Sequence, residues 1–398
     1  MNQTLKLIIL SITFAGLGWA STNAQTIQVE KTDSAHQEQL EEIRALGIKY
    51  LLENQDEDGA FSKQFGPGVT AIATTALIRS GMSVDSPEVQ KAIEYLVTHV
   101  QDTGGIHAPN SIYRNYETCT SIMCFVEANK EGRYDDYITG AEKFIRSLQW
   151  ATGLETGSEE EIDPDHPSYG GFGYGKHRRP DLNNTSYTLE TLNKLGTSPD
   201  DEAIQRALVF VSRTQNLKSE HNNTKFADKI MDGGFYYTPA AGGGSQANSE
   251  EENQKIADGD GEVGLRSYGS MTYSALKSMI FAGVSKDDER VSAAINWIRH
   301  NYTLEENPGM SYSAPNGGQQ GLFYYYHTFA KALDVLEIDT ITDKDGVVHD
   351  WRVELVEKLA DVQNADGSWT NENDRWLEAD PNLVTGYILL ALAHTDKE

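Results

Sequence analysis

The stretch Gln363-Asn364-Ala365-Asp366-Gly367-Ser368-Trp369 follows a helix-like run, Leu359-Ala360-Asp361-Val362. It spells out a unit: glutamine at a helix end, a turn, a glycine, then an aromatic residue. The chain repeats it. Tyr50 to Gln55 leads to Gly59 and Phe61 with the same spacing, and Gln101, Gly105 and His107 keep that spacing with histidine for the aromatic. Gln149 and Gln215 reach Gly170-Gly171-Phe172 and Gly233-Gly234-Phe235 only after insertions, and Trp297-Ile298 marks a copy without the glutamine. Such self-similarity signals one supersecondary unit used many times.

A second unit alternates with the first. It is a small-residue-rich apolar helix read as opening on Thr70, Thr118, Thr185, Thr272, Thr328 and Thr385. Gly81, Asn129, Gly196 and Gly283 stop four of these helices. The glutamine-ended helices carry charge on one face (Lys143 and Arg146, Arg206 and Arg213, Arg290 and Arg299). An apolar helix belongs inside and an amphipathic one outside. The expectation is an all-α fold, an α/α toroid: a closed ring of six helix pairs with inner and outer layers. An open helical solenoid is the alternative. The stretches 154–165 and 240–262 are read as surface-loop insertions.

The 398 residues carry a formal net charge of -27, which argues against nucleic acid or anionic lipid as a partner. Lys6, the apolar run Leu7 to Ala20 and the small-residue site Thr22-Asn23-Ala24 read as a secretory signal over 1–24. The mature protein is expected to be exported, to a periplasm or the medium. Residues 25–40 read as a polar arm and 41–398 as one toroid domain. No other segment is long and apolar enough to span a membrane. Cys119 and Cys124 point to different faces of one helix and read as buried thiols.

The glutamine–glycine–aromatic unit resembles the QW repeat of squalene and oxidosqualene cyclases, and the ring of six pairs is shared by prenyltransferase β subunits. The resemblance covers roughly residues 40–395. It implies a cavity for an apolar, isoprenoid-like ligand. The cyclases open an inner helix with D-x-D-D-T-A and protonate substrate from the middle Asp. Here Asp181-Leu182-Asn183-Asn184-Thr185-Ser186 stands in that place, with amides where the second and third acids would be. An amide donates no carboxylic proton, which argues against hopene-type cyclisation. Asp181 could still serve as acid or base if burial raises its pKa, and helix capping by Asn183 or Asn184 is the competing role. The prenyltransferases carry a Tyr-His-Thr whose His binds zinc beside an Asp and a Cys. Tyr326-His327-Thr328 matches, but Arg266 to Met271 supplies neither partner, so no metal or other cofactor is expected.

The candidate catalytic residues are therefore Asp181, Asn183, Asn184, Tyr187, Tyr326 and His327, with Asp181 and His327 expected to face a shared hollow. If the inner helices run parallel, their N-termini gather at one mouth, each with roughly half a positive charge. Arg114, Arg178, Arg179 and Arg266 precede those starts and, with Tyr268, form a candidate ligand-binding set for an anionic group. Loop arginines paired with nearby acids are the competing reading. Many of the 19 tyrosines fall at inner-helix starts, suited to line an apolar cavity or stack on sugars. Asp258 to Glu262 and Asp343 to Gly346 read as solvated acidic turns rather than calcium loops. Three functions remain open: a terpenoid cyclase-like or prenyltransferase-like protein binding or converting an apolar ligand, a non-catalytic binding module, and a polysaccharide lyase-like toroid.

Overall fold

The computed structural model describes residues 36–152, 161–175 and 179–396. The expected signal segment and Arg178 lie outside them. Thirteen α-helices follow in chain order among the described residues: α1 (36–53), α2 (Pro67–Arg79), α3 (Pro87–Val97), α4 (Arg114–Ala128), α5 (Asp135–Ser147), α6 (Leu182–Lys194), α7 (Glu202–Arg213), α8 (Glu250–Ala257), α9 (Gly269–Phe281), α10 (Glu289–His300), α11 (Leu322–Val335), α12 (Trp351–Asp361) and α13 (Pro381–Leu392). A short antiparallel hairpin, Ile341–Thr342 with Val348–His349, precedes α12. No described helix is long and apolar enough to cross a membrane.

The inner helices form a closed ring. α2 packs on α4, α4 on α6, α6 on α9, α9 on α11, α11 on α13, and α13 returns to α2. Residues 67–77 of α2 are all buried, as expected of a helix surrounded by protein. The outer helices α1, α3, α5, α7, α10 and α12 cover this wall and bury only one stripe each, Val89, Ala92, Ile93 and Leu96 in α3 for example.

Four of the five repeated glutamines stitch the outer layer together. Each of these amides donates to the carbonyl of its own turn glycine and to the next outer helix: Gln55 to Gly59 (3.0 Å) and Glu88 (2.9 Å), Gln149 to Gly170 (3.0 Å) and Ala203 (2.7 Å), Gln215 to Gly233 (2.9 Å) and Arg290 (2.8 Å). Gln363 donates to Gly367 (2.9 Å) and to Ile43 of α1 (3.0 Å), which joins the last outer helix to the first. The glycine of the unit is obligatory. Gly170 has φ +82°, and a Cβ there would lie 1.8 Å from the Arg206 carbonyl oxygen.

Several expectations need correction. In the second copy the left-handed glycine is Gly104 (φ +86°), not Gly105, and Ile106 rather than His107 takes the aromatic position. The turn keeps its length, since Gln101 N–H to Gly105 matches Asp56 N–H to Ala60, but the glutamine stands one residue late with Val100 in its place, and its amide closes only on His99 and His107. The threonines do not open the inner helices. They sit about a turn inside and accept the N–H of the aromatic position: Phe61 to Thr70, Ile106 to Thr118, Phe172 to Thr185, Phe235 to Thr272 and Trp369 to Thr385. Residues 36–40 are already helical and Leu40 is fully buried, so the polar arm ends earlier than expected. The second insertion contains α8, started by a reciprocal capping box between Ser249 and Glu252.

Candidate functional site

The first turns of all six inner helices surround a cavity of about 530 Å³. Position in the repeat decides which side chains reach it. The residue two before the repeat threonine lines the cavity in five helices: Gly68, Tyr116, Asn183, Ser270 and Leu383. The sixth, α11, contributes Tyr324 instead. Eight tyrosines line the space. Four of them form a closed aromatic ring at its base. Tyr116 meets Tyr187 edge-on at 5.1 Å, Tyr187 stacks on Tyr324 at 6.3 Å, Tyr324 tilts on Tyr387 at 5.6 Å, and the hydroxyls of Tyr387 and Tyr116 lie 3.1 Å apart. Burial raises all four phenols, so they stay neutral.

One turn further along the helices, ions fill the ring. Glu190 of α6 accepts from Lys277 of α9 at 2.5 Å and from Lys331 of α11. Burial opposes the charge of Glu190, but the two ammoniums hold its carboxyl well below the usual range. Burial pushes Lys331 down to about 8 against the pull of Glu190. Lys277 and Lys331 lie in the C-terminal halves of α9 and α11, toward the end of a helix that favours cations.

Two carboxyls face the cavity that the sequence did not single out. Glu378, from the loop before α13, accepts the Tyr324 N–H (2.8 Å) and the Asn371 amide (2.7 Å). It thereby caps α11, whose own N-cap is Gly321. Burial outweighs these bonds and pushes Glu378 up to about 7. Glu117 of α4 accepts the Ser111 hydroxyl (2.8 Å) and the Ala108 N–H (2.9 Å), and burial raises its pKa. A search of the position one or two residues before each threonine would have found Tyr116 and Glu117. Glu378 carries no such signal.

Of the expected site residues, the structure brings Asn183, Tyr187 and Tyr268 to the cavity wall. Asn183 accepts the Tyr324 hydroxyl at 2.5 Å. Asp181 is not in the wall. It caps α6, one oxygen taking the Asn184 N–H (2.8 Å) and the other the Asn184 amide (2.9 Å), so Asp181 rather than an asparagine is the cap. Burial pushes it up to about 6, and the wall residue Tyr237 is its neighbour toward the space. His327 likewise misses the wall. It lies buried against the Tyr387 ring at 5.7 Å, with burial driving its imidazole well below its usual pKa. The shared hollow for Asp181 and His327 is thus replaced by one that Tyr237 and Tyr387 face. Tyr326 is spent on the Leu304 carbonyl (2.5 Å).

The arginines do not converge. Arg266 grips Glu252 (2.7 Å) and lies over Tyr312, Arg179 donates to Ala240, and Arg114 donates to Ser111. None of these three lines the cavity. Arg266 is paired with a nearby acid, as the competing reading expects, while backbone carbonyls take Arg179 and Arg114. Among the described residues no group of three or more His, Cys, Asp or Glu is arranged to hold a metal ion.

No protein-family model matches the chain, and no curated protein matches it by sequence. Solved structures do. A ligand-free single-site variant of the type II terpene cyclase MstE from Scytonema superposes with TM-score 0.54 at 14% identity, covering 91% of this chain and 98% of that one. A variant of the same enzyme holding its substrate, geranylgeranyl dihydroxybenzoate, gives 0.53 at 13% identity over 91% and 99%. Another variant, in complex with the product merosterolic acid A, gives 0.50 at 14% over 91% and 98%. At such identity the likeness is one of fold: this chain is an α/α toroid of terpene cyclase-like architecture.

Proposed function

We propose that the protein takes an apolar, isoprenoid-like ligand into the central cavity, through the mouth formed by the inner-helix N-termini, and binds or converts it there. The observation that carries this reading is the wall: tyrosines on every side, a closed tyrosine ring at the base, and a volume of about 530 Å³, within the range of small-molecule sites. The ligands held by the MstE structures, the substrate geranylgeranyl dihydroxybenzoate and the product merosterolic acid A, support it. A hollow walled by tyrosines suits such a ligand better than a polysaccharide, which needs an open polar groove. Export through a signal at 1–24, and one toroid domain over the rest, belong to the same proposal.

Binding without turnover is the second reading. It is favoured by Asn183, an amide at the place the cyclase resemblance assigns to the acid, and by Asp181, whose two oxygens are both engaged by Asn184.

Titration calorimetry with farnesol and geranylgeraniol tests the ligand class, with a uronic-acid trisaccharide as comparison. Micromolar binding of at least one isoprenoid is expected, abolished when Tyr187→Ala opens the base. Binding of the trisaccharide alone would overturn the proposal.

A further inference from the structure

Four carboxylates are buried among the described residues. Glu190 is neutralised by Lys277 and Lys331, Asp181 takes the N–H and the amide of Asn184, and Glu378 takes the Tyr324 N–H and the Asn371 amide. Glu117 is only 3% exposed, faces the cavity and, like Glu378, makes no ion pair among the described residues. Its two partners are a hydroxyl and one backbone N–H. The start of α4 adds roughly half a positive charge, short of what a buried carboxylate needs.

Glu117 opens onto the cavity beside Gly66. Gly66 has φ +85°, and a Cβ there would press on Glu117 Oε1 at 2.7 Å, so the glycine leaves the carboxylate unobstructed. Aromatic rings surround the same side of the mouth. Phe65 and Tyr113 are 40% and 47% exposed, and Tyr174 meets Tyr113 edge-on at 5.1 Å. A carboxylate beside aromatic faces is the chemistry that receives an organic ammonium. The described wall holds no Lys, Arg or His, and the chain carries -27. Lys277 and Lys331 lie beyond the tyrosine ring, so a cation belongs at the mouth and an apolar body at the base.

We propose that Glu117, with Phe65, Tyr113 and Tyr174, forms a subsite for the ammonium head of an amine-bearing ligand whose apolar chain runs down to the tyrosine ring. This rests on the reading of the cavity as a site for isoprenoid-like chains. It reverses the anionic head expected from the arginines.

Three probes of one chain separate the two claims: farnesylamine, farnesol and farnesoic acid, titrated into the whole protein at pH 7 at fixed ionic strength. Farnesylamine is expected to bind at least tenfold tighter than farnesol, and farnesoate more weakly than either. Glu117→Gln should reduce the amine's affinity about tenfold. The ratio measured on the unaltered protein decides the matter even if that variant fails to fold. Farnesol or farnesoate binding as tightly as the amine would overturn the ammonium subsite and leave the isoprenoid reading standing. Failure of all three to bind would overturn both.

Discussion

The hydroxyls of Tyr116 and Tyr387 meet at 3.1 Å in front of α2, joining the two inner helices that flank it. Gly68 makes room for this, since a Cβ there would press on the Tyr116 ring at 3.1 Å. Tyr387→Phe should cost about 1 kcal/mol, the net worth of one hydrogen bond. Tyr387→Ala should cost about 3–5 kcal/mol by leaving a hole beneath the cavity. Urea unfolding of the two variants measures both, and equal losses would contradict the hydrogen-bonded ring.

The ion cluster predicts a larger effect. Glu190→Gln leaves Lys277 and Lys331 buried without their shared counter-ion, and should destabilise the protein by roughly 3–5 kcal/mol at pH 7. Replacing all three together, with Glu190→Leu, Lys277→Met and Lys331→Met, should recover most of that loss. A triple variant no more stable than the single one would show that the cluster is not held by mutual charge.

Ring closure has its own signature. Gln363→Ala removes the amide that ties the last turn to Ile43 of α1. Two lost hydrogen bonds amount to about 2 kcal/mol. Hydrogen exchange should accelerate through residues 40–50 while α3 keeps its protection. Gln101→Ala, which breaks bonds only within its own turn, should leave every outer helix as protected as before.

A pH dependence follows from Glu378. Its folded pKa of about 7 lies above the ordinary 4.5, so the folded state holds a proton that the unfolded chain has released. The stability this group contributes is fully present below 4.5 and falls as pH rises through 7. The loss amounts to about 3 kcal/mol at most, from 1.36 kcal/mol per unit. Unfolding midpoints should drop between pH 5 and pH 8 by a component missing from Glu378→Gln. An unchanged profile in that variant would exclude this carboxyl as the source.

The sequence by itself determined the ring. Gln363, Gly367, Trp369 and Thr385 act through turn geometry and backbone hydrogen bonds, and such chemistry recurs wherever the same residues recur at the same spacing. It placed the apolar helices inside and the tyrosines at their starts for the same reason. Tertiary structure alone decided which side chains face the hollow. A helix turns about 100° per residue, so Asn183 reaches the cavity while Asp181, two residues earlier, turns back to cap its own helix. Glu378 arrives from a loop far along the chain to cap α11, and Glu252 claims Arg266 from an insertion. Those pairings depend on where separate segments meet in space, and no local pattern encodes that.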